Sequence, residues 1–441
     1  MADGLLNAVE KTSTVVKHGK VAEAFGTLIK VTGISARIGD QCKLCDHRKG
    51  LSINAEVVGF GKGYAYLTPL GNLTGISNEM EVVPLGKSAA FMASQGLLGQ
   101  VIDAQGQPIE SNQMHYRAPP VKSARAVNIY SSAPNPMDRL PIKQSLTTGV
   151  KAIDGLLTIG KGQRTGIFAT AGGGKSTLLG MLALGSDADV NVIVLIGERG
   201  REVREFIDDN LGERGMAKSV LVVATSDKSA IERCRAAYLG QAIAEYFRNQ
   251  GKSVLLLMDS VTRYARALRE VGLALGELPA RRGYPPSVFA QLPQLFERAG
   301  NNHLGYITGF YTVLLEDEDQ DDPIGEEVRS LLDGHIILSQ QLAAAGHYPA
   351  IDILRSASRL FNKVTSEEQR RAAIRIRQLL AKYKDVELLI QVGEFEQGAD
   401  PLADAAVAAN AAINEFLTQS QDQLIAYHDT LEQLKQFLST N

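Results

Sequence analysis

The sequence predicts an α/β protein whose parallel-sheet core follows a small antiparallel sheet or barrel and precedes a purely helical end. Three observations predict it. Short Val/Ile/Leu-rich runs alternate with helical stretches from about Thr147 to Phe361. Glycine-punctuated β-rich runs fill Gly19 to Gly86, and beyond Thr365 only helical spacing remains. The expected boundaries are 1–87, 88–364 and 365–441.

In the first segment GTLIKVTG, INAEVVGFGKGYAYLTPLG and EVVPLG carry turn signals at the density of a meander or barrel. LLGQVIDAQGQPIE continues as a hairpin-like stretch, and the proline-rich Arg117 to Arg139 reads as an extended connection. RTGIFAT, NVIVLIGE, SVLVVATS, SVLLLMD, GYITGFYTVLL and HIILS follow. Near-continuous apolar strands with helical crossovers belong to a parallel sheet covered on both faces. EEQRRAAIRIRQLLAKYKDVELLIQVG and DPLADAAVAANAAINEFL then repeat apolar residues at helical spacing.

Composition narrows the function classes. The 441 residues carry 46 Lys and Arg against 49 Asp and Glu, a net charge of -3 that gives no support to a nucleic-acid binder. No secretory signal is expected at the start, and the longest apolar strings are too short to span a bilayer, so membrane contact would be peripheral. Three cysteines suggest a reducing compartment. Cys42 and Cys45 have knuckle spacing without a second ligand pair, so two thiols in a loop are the expectation.

The densest chemical signal is ATAGGGKST, Ala169 to Thr177, between an apolar strand and a helical run. Backbone amides of Ala171, Gly172, Gly173 and Gly174 can turn toward phosphate oxygens that a Cβ would obstruct, and the helix start adds positive potential. Lys175 supplies a full charge to the β and γ phosphates, Ser176 a hydroxyl for Mg²⁺, and Thr177 continues the loop, so ATP and Mg²⁺ are the expected ligands. Asp259 ends SVLLLMD at the edge where ligands bind parallel sheets, placing it to hold Mg²⁺ through water. Glu198 in GERGRE falls past a strand end at the same edge, where a carboxylate can orient the attacking water. Arg199 could pair with Glu198 or touch phosphate. In HYPAIDILRSASRLF, Tyr348 could stack on a purine, and Arg355 or Arg359 could be an arginine finger.

Together GERGREVREF, LLLMDSVTRYARALRE, RRGYPPSVFAQLP, GFYTVLLEDED, EEVRSLLDGHIILS and GHYPAID resemble the type III secretion ATPases, relatives of the catalytic β subunit of F-type ATP synthases. The resemblance runs over almost the whole chain. It implies a RecA-like P-loop ATPase core with an N-terminal β-barrel and a C-terminal helical domain. It also implies a homohexamer with nucleotide sites between subunits, in which Lys175, Ser176, Glu198 and Asp259 serve as above. Tyr348 matches the adenine-stacking aromatic, and Arg359 rather than Arg355 matches the finger reaching the neighbouring site. ARRGYPP and LEDEDQDDP look like channel-facing segments, and VGEFEQGAD falls where the F-type subunit has its lever.

The implied partners are a central-stalk protein, a peripheral stator protein, the export gate and chaperone–substrate complexes, but no nucleic acid. The implied location is the cytoplasmic side of the bacterial inner membrane, with peripheral contact. Residues Leu5 to Val16 are expected to form a partner-binding helix. RYARALRE and VLLEDED look more like injectisome than flagellar members. The alternatives are a flagellar export ATPase, a rotary ion-pump subunit and an RNA-translocating ring.

Overall fold

The structure, a computed structural model, describes residues 17–71, 74–109, 124–316 and 322–438. The expected helix at Leu5 to Val16 lies outside them, as do part of the proline-rich connection and most of LEDEDQDDP.

The first six strands close into a barrel: β1 (Gly19–Phe25), β2 (Leu28–Thr32), β3 (Asp40–Asp46), β4 (Leu51–Gly61), β5 (Tyr64–Pro69) and β6 (Glu81–Ser88), in the order β1-β2-β5-β4-β3-β6. The closing seam pairs Gly19 with Val82. Alternating side chains, Val21, Ile29, Val31, Leu44, Val57 and Leu67 among them, fill the interior. Cys42 and Cys45 lie within β3 rather than in a loop. Three residues apart on a strand, they face opposite sides. Cys42 is buried in the barrel, where burial pushes its thiol up to about 11.

The LLGQVIDAQGQPIE stretch folds back through an Ile102–Pro108 bridge, but its strand β7 (Val101–Asp103) joins the large sheet in parallel. All six apolar runs form strands of that sheet: β8 (Arg164–Ala169), β9 (Val190–Ile196), β10 (Ser219–Ala224), β11 (Ser253–Asp259), β12 (Tyr306–Leu314) and β13 (Gly334–Leu338). With the short β14 (Ala357–Ser358) the order is β14-β13-β8-β12-β11-β9-β10-β7, parallel except at β13–β14. Every residue of β9 and β10 is buried, because helices cover both faces.

Helix α1 (Lys175–Gly185) follows β8, buries Leu178, Leu179, Met181 and Leu182, and lies within the core. Helix α2 (Ala230–Arg248) starts from a capping box between Ser229 and Glu232. Helices α3 (Val261–Ala274) and α4 (Pro286–Phe296) follow β11 on the same side of the sheet. The C-terminal helices α5 (Glu367–Val392), α6 (Pro401–Leu417) and α7 (Tyr427–Lys435) bury Ala372, Ile376, Ile413, Phe416 and Leu434 in the cluster on the sheet's other face. Gly393 takes a left-handed C-cap after α5, and Asp400 caps α6 through the amides of Leu402 and Ala403. Among the described residues no helix is long and apolar enough to cross a membrane.

A buried ion pair joins barrel to core. Arg235 of α2 donates to Glu56 of β4 at 2.7 Å and to the Ala104 carbonyl at 2.9 Å, while the Tyr130 hydroxyl donates to Glu56 at 2.6 Å. Burial pushes the Glu56 carboxyl up, against the pull of Arg235. Arg235→Met leaves that carboxylate without its cation and is expected to destabilise the protein by about 3–5 kcal/mol, whereas Glu56→Leu/Arg235→Met recovers most of the loss. Thermal unfolding midpoints of the two variants check this.

Candidate active site

The loop between β8 and α1 turns on glycine. Gly172 and Gly174 hold φ of 83° and 78°, the left-handed region that side chains resist. At Gly174 a Cβ would also approach the Tyr348 ring at 3.4 Å. Helix α1 then begins at Lys175, and its first amides point into the loop with no partner inside the helix.

Two strand ends converge on Lys175. Its Nζ donates to Asp259 Oδ1 at 2.5 Å, at the end of β11, and to Glu198 Oε1 at 3.3 Å, past the end of β9. Burial alone would lower the ammonium pKa, but the Asp259 and Glu198 carboxylates outweigh it and hold it raised. Asp259 Oδ1 also accepts from Thr312 Oγ1 at 2.7 Å, on the neighbouring strand β12. The second Glu198 oxygen meets Arg263 Nη1 at 3.1 Å, from the first turn of α3. Arg263 donates to the Gly197 carbonyl as well, and a Cβ at residue 197 would lie 2.9 Å from the Arg263 side chain. The glycine of the GER motif therefore makes room for this arginine.

Arg263 and Thr312 escaped the sequence reading. The available signal was positional: DSVTR places Arg263 four residues after Asp259, across the start of a helix. Of the two contacts open to Arg199, with Glu198 or with phosphate, the structure does not form the first. Arg199 turns outward at the start of a short helix, 75% exposed, and pairs with Glu202 at 3.5 Å. Arg263 occupies the cationic place beside Glu198 instead.

Tyr348 is 42% exposed, so it is no core tyrosine. It borders a cleft of about 390 Å³ beside the loop, with Thr177, Met181, Pro349, Gln419 and Asp422. Ser176 is exposed at the mouth of the loop. Arg359 is not brought to this cluster. It follows β14 on the surface and donates to the Arg329 carbonyl at 3.2 Å.

A glycine cradle at the carboxyl edge of a parallel sheet, with a lysine between two strand-end carboxylates, defines a P-loop ATPase. Residues 149–358 match the ATP synthase alpha/beta family, nucleotide-binding domain, and residues 365–436 match the T3SS EscN ATPase C-terminal domain. The chain is 54% identical to the type 3 secretion system ATPase of Xanthomonas euvesicatoria, over 95% of this chain and 93% of the relative. It is 45% identical to the flagellum-specific ATP synthase of Treponema pallidum, over 97% and 94%. The assembled ATPase EscN in complex with its central stalk EscO, from the enteropathogenic E. coli type III secretion system, superposes with a TM-score of 0.87 at 47% identity. That match covers 96% of this chain and 100% of that one. The chain belongs to the type III secretion system ATPase family.

Proposed function

We propose that this chain forms a homohexameric ring at the cytoplasmic base of an injectisome. There it hydrolyses ATP between subunits to release chaperones from export proteins and to unfold those proteins. The observation that carries the reading is the placement of Lys175 between Asp259 and Glu198 beside an open glycine cradle. Phosphate oxygens would compete with these carboxylates for the ammonium. The cradle suits them further: Thr170 Oγ1 is buried without a hydrogen-bond partner, and nothing stands within 4 Å of a Cβ built on Gly172.

Backbone amides from Ala171 to Thr177 would hold the phosphates. The Ser176 hydroxyl and the Asp259 carboxylate form an all-oxygen donor set that suits Mg²⁺, which when bound screens phosphate charge. Thr312 orients Asp259, and Glu198, steered by Arg263, positions the attacking water. Tyr348 stacks on the purine. Arg359 acts on the site of the next subunit, and Arg199 remains a surface candidate near it. The turn Arg281–Gly283 of ARRGYPP would face the channel, against a central-stalk protein like the one bound to EscN. A stator, an export gate and peripheral contact with the inner membrane complete the proposed surroundings. The higher identity to the Xanthomonas secretion ATPase than to the Treponema flagellar one supports the injectisome over the flagellum.

The test is chaperone release. With Mg-ATP, the assembled protein is expected to strip a chaperone from its export substrate, and Lys175→Ala to abolish both release and hydrolysis. Release at the wild-type rate by Lys175→Ala would refute the reading.

A further inference from the structure

We infer that Gln419 is a positioning residue for the purine, holding the Tyr348 backbone to the end of α6 and to the segment behind the phosphate-binding helix. The inference rests on reading the Tyr348 cleft as the seat of the base. Gln419 lies two residues beyond α6 and is 4% exposed. Its amide N–H donates to the Tyr348 carbonyl at 2.8 Å. Its side-chain Oε1 accepts from the Lys151 amide at 2.9 Å, and its Nε2 donates to the Gly149 carbonyl at 2.7 Å and to the Gln423 carbonyl at 2.5 Å.

These bonds tie three pieces of chain together. The Gly149–Lys151 segment abuts the C-terminal end of α1, because a Cβ on Gly149 would lie 3.1 Å from the Gly185 Cα. Tyr348 borders the cleft at the opposite end of that helix, against Gly174. Gln419 thus sets the aromatic platform relative to the phosphate loop, its backbone N–H holding Tyr348 and its buried side-chain amide anchoring that backbone to Gly149 and Lys151, and it links both to the C-terminal helices. Glutamine suits the place because one group must both accept and donate. Glutamate cannot donate, and leucine can do neither.

A ligand without a base separates positioning from general damage. Gln419→Leu keeps the volume and removes the side-chain bonds. It is expected to weaken Mg-ATP binding about tenfold, close to 1.4 kcal/mol, while leaving Mg-tripolyphosphate binding unchanged. KM for ATP should rise with kcat at saturation preserved. If the leucine variant does not fold, Gln419→Glu carries the same test. Equal weakening of both ligands, or of neither, overturns the inference. Tyr348→Ala provides the separate arm: if it leaves the ratio of ATP to tripolyphosphate affinity unaltered, the cleft is not the base's seat. If Tyr348→Ala lowers that ratio and the Gln419 variants do not, the positioning role alone fails.

Discussion

Glu198→Gln will bind Mg-ATP and fail to turn it over, with kcat reduced by about 10²–10⁴. The glutamine keeps the size of the side chain and its place past β9, so the fold and the cradle remain. What it loses is a carboxylate flanked by Lys175 on one oxygen and Arg263 on the other. Those two cations fix where the carboxylate points, and a carboxamide cannot draw a proton from water in the same way. At a thousandfold, the barrier rises by about 4 kcal/mol. Binding should not weaken, because the phosphates rest on backbone amides and Lys175. Lys175 also keeps its stronger partner, Asp259, at 2.5 Å. Equilibrium nucleotide binding beside single-turnover hydrolysis measures both halves. A variant that hydrolyses ATP at the wild-type rate would remove Glu198 from the chemistry.

Arg359→Ala carries the second large effect. Its guanidinium is exposed beyond β14, bonded to the Arg329 carbonyl, and it makes no contact with its own chain's Lys175, Glu198 or Asp259. A residue so placed can serve catalysis only at another subunit's site. Loss of an arginine finger costs about 10³–10⁵ in rate, so assembled Arg359→Ala should be nearly inactive while its nucleotide affinity stays close to normal. Arg359→Lys should rescue little, because an ammonium lacks the planar fork that grips phosphate oxygens. Ring-assembled preparations give the relevant rates.

The fold and much of the site were legible because they are written in local patterns. ATAGGGKST is contiguous, and Asp259 and Glu198 announce themselves as acidic residues closing apolar strands. Barrel closure was not decided by alternation alone, because it depends on the long-range pairing of β1 with β6. Arg263 and Thr312 were missed for a related reason: each touches a carboxylate far away in sequence, and only sheet order makes them neighbours. Arg199 stayed open between Glu198 and phosphate because adjacency in sequence does not decide adjacency in space. Past a strand end, successive side chains diverge, and a short helix turns Arg199 to solvent. Gln419 lies just past the last apolar repeat of the helical end, where no local pattern marks it, and only its long-range bonds to Lys151 and Gly149 set it apart.

The central claim is that one catalytic site is shared by two subunits, and mixed rings test it most directly. Lys175→Ala and Arg359→Ala should each be inactive alone. Co-assembled in equal amounts, about one interface in four would unite an intact Lys175 with an intact Arg359 across a head-to-tail contact. The account predicts that ATPase activity returns in the mixture, in proportion to such interfaces. Mixed rings as inactive as either parent would contradict it.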